Sequence, residues 1–354
     1  MKVSIVGITG YVGAELARLL GRRPDVELLE VVGRSAAGQP LGKVFPNLGP
    51  LNLTVVGELQ RQTEADIIFL ALPHHASAET AANILEQSPT TKVIDMSADF
   101  RLRDQAIYEK WYGPHPAAYL LPEAVYGLPE IYRAKLTPQV RLIANPGCYP
   151  TCSILALAPA LSSRQGGPLI EPDVIIDALS GTSGAGRGLK QNLHFPEMTE
   201  STAAYGLDGH RHLPEIEQVL QDVYGSPVAV SFTPHLVPLS RGMLATCYAR
   251  LSDAFLSSYS NQAEASQAIR AYYREFYAND PFVQVVDEPP YTKQVAGSNY
   301  CFIHPTVNLS TRRLVVVSVV DNLTKGAAGE GVQNMNLLAG LPETTGLDML
   351  GLYP

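Results

Sequence analysis

The chain has 354 residues, of which 46% are hydrophobic, and its formal charge is −8 at pH 7. This length exceeds the size at which one hydrophobic core usually stops growing, so we expect two domains. The acidic balance and the lack of a Lys/Arg run argue against a nucleic-acid-binding protein.

The apolar segments and the cysteines indicate the cellular compartment of the protein. No apolar run reaches membrane-spanning length, and MKVSIVGITG has too short an apolar run for a signal peptide. The four cysteines, at 148, 152, 247 and 301, do not resemble a disulfide framework or a paired zinc motif. We therefore expect a cytoplasmic protein with reduced thiols, no bound metal and no membrane partner.

The first 150 residues alternate between strand and helix patterns. KVSIV predicts a buried strand, GITGYVG a turn and AELARLL a helix. VELLEVVG, ADIIFLALP and TKVIDMS predict further strands, with the helical pattern ASAETAANILEQ between the last two, and RLIAN adds a short strand. This alternation predicts a parallel sheet with helices on both faces.

The pattern changes after NPGCYPT. VIIDALSGTSG, PVAVSFTPHLVP, MLATCYARL and RLVVVSVVDN predict long strands in a largely antiparallel sheet, and SQAIRAYYREFYA predicts a helix. KGAAGEGVQNMNLLAG predicts a final helix that packs back on another domain. The predicted fold is α/β. A Rossmann-like dinucleotide-binding domain spans 1–148, completed by 326–354, and an α+β catalytic and oligomerisation domain spans 149–325.

Gly7, Gly10 and Gly13 form GxxGxxG between the first strand and the first helix. Glycines at this place permit a tight turn, the close approach of a pyrophosphate, and a helix start that offers N–H donors. We interpret the segment as a dinucleotide site, with a purely structural turn as the alternative. VVGRSAAG ends the second strand with Arg34 and Ser35 instead of an acidic residue, which favours NADP over NAD. Arg34 could instead be a solvated loop charge.

Cys148 lies where a helix is about to begin. Pro150 suits the first turn of a helix, so the thiol is expected at or near the helix N-terminus. The helix dipole stabilises a thiolate by up to ~2 kcal/mol, or about 1.5 pKa units, which brings a pKa of about 8.5 only near neutrality. We interpret Cys148 as a nucleophile assisted by a histidine; the alternatives are a small buried hydrophobe and a redox pair with Cys152. Cys152, Cys247 and Cys301 are expected in the core.

GHRHLPEIEQVL places His210, His212 and Glu215 just ahead of a helix. Imidazole exchanges protons near neutral pH, so this segment is the candidate acid/base. The i, i+2 spacing in a non-helical segment predicts that the two rings point in opposite directions and that only one faces a given site. A surface histidine pair is the alternative, and zinc is disfavoured because HxH has no third ligand at familiar spacing.

Seven motifs in one order give the whole chain a close resemblance to the N-acetyl-γ-glutamyl-phosphate reductases of arginine biosynthesis: GITGYVGAEL, SADFRL, NPGCYPT, GTSGAGRG, HRHLPEIEQ, TPHLVPLSRGML and KGAAGEGVQNMNLL. The resemblance implies an NADP(H)-dependent enzyme, working as a homo-oligomer (dimer or tetramer). Its cysteine attacks the acyl phosphate, expels phosphate and forms a thioester that hydride reduces to the semialdehyde. Acyl-phosphate reductases of lysine biosynthesis, aspartate-semialdehyde dehydrogenase and an NADPH-binding redox regulator remain alternatives.

The resemblance also implies roles for individual residues. His212, or as second choice His210, would move the proton; Glu215 would orient it; and Asn145 with backbone N–H groups at Cys148 would hold the oxyanion. The implied cofactor-binding residues are Gly7, Thr9, Gly10, Tyr11, Val12, Gly13, Arg34, Ser35, Ser183, Gly184 and Asn334. The implied substrate-anion residues are Arg101, whose fork suits the acyl phosphate, and Arg187, Lys190 and Arg241, each of which could instead form a structural salt bridge.

Overall fold

The structure is a computed structural model that describes residues 1–163 and 167–353. Its strands are β1 (Lys2–Val6), β2 (Glu27–Val32), β3 (Val55–Val56), β4 (Ile67–Leu70), β5 (Lys92–Asp95), β6 (Val125–Tyr126), β7 (Leu142–Ala144), β8 (Ile170–Gly181), β9 (Ala203–Ala204), β10 (Ala229–Val237), β11 (Met243–Leu251), β12 (Val283–Val285), β13 (Cys301–Asn308) and β14 (Arg313–Val320). Its α-helices are α1 (Tyr11–Leu20), α2 (Leu41–Val44), α3 (Ala76–Gln87), α4 (Gln105–Tyr112), α5 (Pro129–Tyr132), α6 (Cys148–Leu161), α7 (Phe195–Met198), α8 (Leu213–Tyr224), α9 (Asp253–Ser258), α10 (Gln262–Phe276) and α11 (Gly329–Leu338).

The chain divides into two compact units. Unit 1 comprises Met1–Gly147 and Ala327–Met349, and unit 2 comprises Cys148–Gly326 and Leu350–Pro354. The first passage from unit 1 to unit 2 therefore falls immediately before the predicted nucleophile. Helix α11 belongs to unit 1, as predicted for the final helix.

Unit 1 is built on a sheet with the strand order β3-β2-β1-β4-β5-β7-β6. Every recorded pairing in this sheet is parallel. The strand order reverses between β1 and β4, and open α/β sheets bind ligands at the carboxyl ends of the strands at such a point. The predicted Rossmann-like fold is confirmed.

Helix α3 shows how the helices cover this sheet. Its buried residues include Ala78, Ala81, Ile84 and Leu85, a spacing that gives one apolar stripe. The stripe joins a core that includes Ile68 of β4 and other strand residues. This packing fixes the start of α3 near the carboxyl ends of the central strands.

Unit 2 contains a second sheet with the order β12-β13-β14-β11-β8-β10-β9. Its pairings are largely antiparallel, as predicted, but β8 pairs in parallel with β10 and β12 in parallel with β13. A crossover that includes α8 connects β8 to β10, and such a crossover is what parallel neighbours require. Val174, Ile176 and Ala178 of β8 are buried, whereas Ile175 between them is 43% exposed.

Helix α6 is the central helix of unit 2. Every residue from Tyr149 to Leu161 is buried, and Cys148, the first residue, is only partly buried. A helix that is apolar all round is a core helix, so its N-terminal thiol is held by a rigid element. Cys152, Cys247 and Cys301 are fully buried free thiols, which confirms their predicted place in the core.

Across the described residues, no helix combines the length and the apolar character needed to span a membrane.

Candidate active site

The glycine turn between β1 and α1 leaves no room for side chains at two positions. Gly7 has a φ of +96°, and a Cβ there would lie 2.2 Å from the carbonyl oxygen of Ala71. A Cβ at Gly13 would lie 2.4 Å from the carbonyl oxygen of Gly7. Helix α1 therefore starts tight against the end of β1, and Gly10 at its N-cap supplies no side-chain cap. A helix start of this kind offers backbone N–H donors to a phosphate. Thr9 lies in the turn, and Tyr11 and Val12 are the first two residues of α1.

The end of β2 presents a cation to solvent. Arg34 and Ser35 lie in a single 3₁₀ turn, Arg34–Ala36, directly after the strand, and both are exposed. A guanidinium and a hydroxyl at this place match the charge and the hydrogen-bonding needs of a ribose 2′-phosphate.

Asn334 of α11 carries a buried acceptor. Its Nδ2 donates to the carbonyl oxygen of Gly127 at 2.8 Å and to Oδ1 of Asn145 at 3.1 Å. Its Oδ1 is buried and has no hydrogen-bond partner among the described residues. A buried oxygen without a donor costs about 1–3 kcal/mol, so this atom is suited to accept an N–H group from a bound ligand.

Asn145 and Arg101 are both committed to the backbone of unit 1. Asn145 is fully buried, and its Nδ2 donates to the carbonyl oxygen of Ala327 at 3.1 Å. Arg101 is 7% exposed; its Nε donates to the carbonyl oxygen of Asn145 at 2.7 Å and its Nη2 to that of Met96 at 3.0 Å. Two donors of the Arg101 guanidinium therefore hold the segment that leads to Cys148. The residue was foreseen, but this use of it was not.

In unit 2, an aromatic cluster surrounds Tyr149, the residue after Cys148. The hydroxyl of Tyr205 donates to that of Tyr149 at 3.1 Å, and Tyr149 donates to the carbonyl oxygen of His235 at 3.1 Å. Burial raises the pKa of both tyrosines, and the negative charge of a Cys148 thiolate adds to the shift of each. Cys148 therefore lies close enough to both phenols to influence them electrostatically.

The two histidines lie together. The ring centroids of His210 and His212 are 5.0 Å apart, and they lie 5.6 and 5.9 Å from the ring of Tyr149. The prediction that the rings point in opposite directions is wrong. The backbone turns there, with the N–H of Leu213 donating to the carbonyl oxygen of His210 and His212 in a helical conformation. Alternation of side chains holds only for an extended segment.

His210 has a fixed role for each ring nitrogen. The backbone N–H of His212 donates to its Nδ1 at 3.1 Å, so Nδ1 is the acceptor and Nε2 carries the proton. Burial lowers the pKa of His210 to about 4, and the positive charge of Arg211 adds to the shift. His210 is therefore neutral at physiological pH.

Glu215 lies in the first turn of α8 and is 1% exposed. It follows His212 by three residues, a spacing that places both on the same side of a helix start.

The candidate basic residues of unit 2 differ in how exposed their side chains are. Arg187 and Lys190 are exposed on the loop after β8, and Lys190 Nζ donates to the carbonyl oxygen of Ala185 at 3.4 Å. Arg241 is different, because its Nη1 lies 3.4 Å from Oδ2 of Asp321, whose side chain is fully buried. Ser183 and Gly184 of the same loop adjoin Asn322, whose Nδ2 donates to Ser183 Oγ at 2.9 Å.

Sequence reasoning missed Asp321, Asn322 and Tyr205 as site residues. Asp321 and Asn322 follow directly after the apolar strand RLVVVSVV, and a polar pair at the end of a buried strand was the available signal. Within the described ranges, no cluster of three or more His, Cys, Asp or Glu side chains could hold a metal ion.

Two family models match the chain in succession. Residues 2–138 match the semialdehyde dehydrogenase NAD binding domain, and residues 148–322 match the semialdehyde dehydrogenase dimerisation domain.

Curated relatives match over the whole chain. An N-acetyl-gamma-glutamyl-phosphate reductase of Dehalococcoides mccartyi is 48% identical, covering 100% of this chain and 99% of the relative. One of Desulforamulus reducens is 47% identical over 100% of both chains, and one of Symbiobacterium thermophilum is 48% identical over 100% and 99%.

Solved structures share the fold at lower identity. Aspartate semialdehyde dehydrogenase II of Vibrio cholerae, complexed with ASA, superposes with a TM-score of 0.69 at 18% identity, covering 96% of this chain and 98% of that one. Aspartate semialdehyde dehydrogenase of Candida albicans with NADP gives a TM-score of 0.66 at 16% identity, with 96% and 98% covered.

Proposed function

Because the chain belongs to the N-acetyl-gamma-glutamyl-phosphate reductases, we propose that it reduces N-acetyl-L-glutamyl 5-phosphate to N-acetyl-L-glutamate 5-semialdehyde and phosphate with NADPH, a step of arginine biosynthesis. The observation that carries the proposal is the placement of Cys148. It is the partly exposed first residue of a buried helix, and the residue after it contacts two imidazoles. Unit 1 is proposed as the NADP-binding domain, and unit 2 as the catalytic and oligomerisation domain.

The residues of unit 1 fit a dinucleotide. The close-packed glycine turn would hold the pyrophosphate, Arg34 and Ser35 would bind the 2′-phosphate, and the unpartnered Oδ1 of Asn334 would accept from the carboxamide of the nicotinamide. Ser183 and Gly184 of unit 2 are proposed as further cofactor contacts. The bound cofactor supplies the hydride that reduces the acyl group.

Cys148 supplies the nucleophile. Its thiolate attacks the acyl carbon of the substrate, the bond from that carbon to the phosphate oxygen breaks, and phosphate leaves with the electron pair. Once the thioester has taken up hydride at carbon and a proton at oxygen, it is a thiohemiacetal, which loses its hydroxyl proton again and breaks its C–S bond to release the aldehyde and free the thiolate. The dipole of α6 stabilises that thiolate by up to ~2 kcal/mol. The backbone N–H of Cys148, at the same helix start, is our candidate donor to the oxyanion.

His212 is the proposed acid/base for the thiohemiacetal oxygen. His210 is poorly suited to this role, because its Nδ1 already accepts a hydrogen bond, its Nε2 already holds a proton, and its pKa of about 4 opposes a second proton. We assign His210 to orienting the segment and donating from Nε2. Glu215 is proposed to orient His212.

Two residues predicted to touch substrate receive a different proposal. Arg101 donates to the backbone carbonyl oxygen of Asn145, and the side chain of Asn145 donates to Ala327 and accepts from Asn334. We therefore assign Asn145 and Arg101 to positioning the NPG segment before Cys148 instead of contacting the oxyanion or the acyl phosphate. Arg187, Lys190 and Arg241 remain the proposed residues for the substrate anions.

We further propose that the protein is a homo-oligomer, a dimer or a tetramer, assembled through the sheet of unit 2. The support is the match of residues 148–322 to a dimerisation domain and the 43% exposure of Ile175 on the face of β8 opposite the buried residues. A cytoplasmic location is proposed because four free thiols suit a reducing compartment.

The test of the function is the reverse reaction, followed by NADPH formation. We expect phosphate-dependent oxidation of N-acetyl-glutamate 5-semialdehyde with NADP, and a kcat/KM for aspartate semialdehyde at least about a hundredfold lower. Equal or greater activity on aspartate semialdehyde would identify the protein as an aspartate-semialdehyde dehydrogenase. Equal or greater activity on the six-carbon aminoadipyl-type semialdehyde would identify it as a reductase of lysine biosynthesis. Binding of NADPH without turnover of any of the three would favour a regulator.

A further inference from the structure

Tyr149 and Tyr205 form a chain of hydroxyl groups in unit 2 that ends on a backbone carbonyl group. The Tyr149 hydroxyl lies 3.1 Å from the carbonyl oxygen of His235, and the Tyr205 hydroxyl lies 3.1 Å from that of Tyr149. Tyr149 is 3% exposed, whereas Tyr205 is 37% exposed. The chain therefore runs from a buried residue beside Cys148 to a partly exposed side chain.

The carbonyl oxygen of His235 fixes the direction of both hydrogen bonds. A carbonyl oxygen only accepts, so Tyr149 donates its single hydroxyl hydrogen to it. The Tyr149 oxygen then accepts from Tyr205, whose own hydrogen is used in that bond. The Tyr205 oxygen is left as an acceptor for a third group. Among the residues that the structure describes, no group donates to this oxygen.

Both phenols keep their hydrogen near neutral pH. Burial raises the pKa of each tyrosine, and the negative charge of a Cys148 thiolate adds to the rise. A hydroxyl group that donates a hydrogen bond becomes a stronger acceptor, because hydrogen bonds in a chain polarise one another. The Tyr205 oxygen is therefore an oriented, neutral acceptor within the electrostatic influence of Cys148.

The backbone and the ring of Tyr205 are both held in place. Its N–H donates to the carbonyl oxygen of Pro234 at 3.1 Å, which continues the pairing of β9 with β10. Its ring packs edge-on against that of His210, with the centroids 5.5 Å apart. Since the hydroxyl, the ring and the backbone all have partners, little rotamer freedom is left to lose when a ligand binds.

The proposed substrate offers one group that fits this acceptor. Near neutral pH its α-carboxylate and its acyl phosphate are ionised and act mainly as acceptors. The N–H of the acetamido group is then its remaining hydrogen-bond donor. An acceptor with a fixed direction beside the nucleophile is complementary to that N–H and not to the two anions.

We propose that the Tyr205 oxygen accepts a hydrogen bond from the acetamido N–H of the substrate. The proposal rests on the proposed function and names a residue that recognises the N-acyl group. Tyr205 is thereby a specificity-determining residue. Tyr149 is a positioning residue, because it acts through Tyr205 by taking up the hydroxyl hydrogen that would otherwise point at the ligand.

The experiment compares two aldehydes in the oxidative direction with NADP and phosphate. The first is N-acetyl-glutamate 5-semialdehyde, and the second is 2-acetoxy-5-oxopentanoate of the same configuration, in which an ester oxygen replaces the N–H. In the wild type, kcat/KM should be about tenfold or more higher for the first aldehyde, because the ester oxygen has no hydrogen to donate. In Tyr205→Phe, this preference should fall below about threefold, with kcat/KM for the ester nearly unchanged.

Tyr149→Phe tests the direction of the chain while the Tyr205 hydroxyl stays in place. Without its acceptor, the Tyr205 hydroxyl is free to turn and donate to the ester oxygen, so the preference should fall at least about threefold. The double variant should show the same preference as Tyr205→Phe alone, because the two residues act as one unit. Tyr259→Phe is the matched control, since the Tyr259 ring packs on Phe255 elsewhere in unit 2. It should leave both kcat/KM values unchanged.

Four results would count against the proposal. Equal kcat/KM of the wild type for the two aldehydes overturns it without any variant. An equal loss on both aldehydes in Tyr205→Phe identifies the residue as merely structural and overturns it as well. A raised KM for phosphate in Tyr205→Phe, with the wild-type preference retained, assigns the hydroxyl to phosphate instead. A preference that Tyr149→Phe leaves intact overturns the role of the chain. A wild-type enzyme without phosphate-dependent activity on the first aldehyde would refute the proposed function itself.

Discussion

At the scale of single residues, the two ring nitrogens of His210, which lies beside Tyr149, have fixed roles. His210 uses Nδ1 to accept from the backbone of His212, and burial keeps it neutral. An imidazole with a pKa of about 4 is a poor proton acceptor near pH 7 and cannot deliver the proton of an imidazolium. These properties of His210 support the proposal that His212 moves the proton.

We predict that His212→Asn lowers kcat by about 10²–10⁴-fold, the usual contribution of a general acid/base. His210→Asn should cost less than about tenfold, because an Asn oxygen can replace Nδ1 as acceptor for the His212 N–H. Steady-state kinetics of the two variants between pH 6 and 9 measures both effects. Similar mild losses in the two variants would rule out this segment as the proton carrier.

Asp95, at the end of β5, is a buried acid with a perturbed pKa. Burial raises the pKa of Asp95 to about 6, and the negative charge of Asp99 adds to the rise. Its carboxylate accepts from the hydroxyl groups of Ser77 and Ser97 and from the Ser97 N–H. The folded state thus binds this proton more tightly than the unfolded state, so the stability from this group is present at low pH and is lost as the pH rises from about 4 to about 6.

Asp95→Asn should therefore gain stability relative to the wild type as the pH rises through that window. At 1.36 kcal/mol per pKa unit, the shift from 3.8 to about 6 corresponds to about 3 kcal/mol. Urea unfolding of both proteins at pH 4 and pH 7 measures the difference. Asp25→Asn is a control of opposite sign, because the hydrogen bond from Arg23 lowers the pKa of Asp25 and its stabilisation is lost as the pH falls. A difference between Asp95→Asn and the wild type that does not vary with pH would contradict the burial argument.

At the scale of elements, Gly10 and Gly13 at the β1–α1 turn have different roles. Gly13 packs against the Gly7 carbonyl group, whereas the nearest atom to a Cβ on Gly10 would be the Gly7 oxygen at 3.5 Å, an ordinary contact. Gly13 therefore serves the packing of the turn itself. We propose that Gly10 leaves room for the pyrophosphate of the cofactor.

Gly13→Ala should lower the free energy of unfolding by about 2 kcal/mol or more, because overpacking forces the backbone to move. Gly10→Ala should change it by less than about 1 kcal/mol but raise the Kd for NADPH at least about tenfold, since a methyl group would meet the pyrophosphate. Thermal unfolding and fluorescence titration with NADPH provide the two values. Tight NADPH binding by Gly10→Ala would show that the turn does not bind the pyrophosphate of the cofactor.

The elements also show what the sequence could predict. The period of the apolar residues located the central strands of unit 1, α3 over Ala76–Gln87 and the helix that begins at Cys148, because each pattern is local. The rings of His210 and His212 were placed wrongly because a turn replaced the assumed extended segment. The Asp321–Arg241 pair joins residues 80 positions apart, and no local pattern reports such a contact.

At the scale of the whole molecule, the β8 strand has one covered face and one exposed face. Val174 and Ile176 are fully buried, while Ile175 between them and Tyr248, its partner on β11, are not. An apolar sheet face that stays partly exposed in a single chain marks an interaction surface. The proposed occupant is a second copy of the chain.

Ile175→Asp is predicted to weaken the assembly, because a carboxylate at an apolar interface loses its hydration without a partner. Light scattering coupled to size-exclusion chromatography should show a smaller particle than the wild type at micromolar concentration. Ile107→Asp is the matched control, since Ile107 is 44% exposed on α4 of unit 1 and should leave the mass unchanged. A wild-type particle of one chain, or an unchanged mass in Ile175→Asp, would argue against this face.

The family resemblance accounts for the reaction and the fold, and the structure adds how residues are used. Arg101 and Asn145 were expected at the substrate, and the structure shows that both also donate to backbone carbonyl groups of unit 1. The sequence alone does not show whether an Arg or Asn side chain binds a ligand or a backbone carbonyl group. Only its hydrogen-bond partners in the structure show this.

The most direct test of the central claim is a single-turnover experiment without phosphate. With N-acetyl-glutamate 5-semialdehyde and NADP, the enzyme should form one NADPH per subunit and stop, and mass spectrometry should find the acyl group on the peptide that contains Cys148. Cys148→Ser should form neither product while binding NADP normally, and Cys152→Ala, which changes a fully buried thiol one turn further along the same helix, should retain both. Steady NADPH formation by Cys148→Ser above about 1% of the wild-type rate, or an acyl group on another residue, would contradict the account.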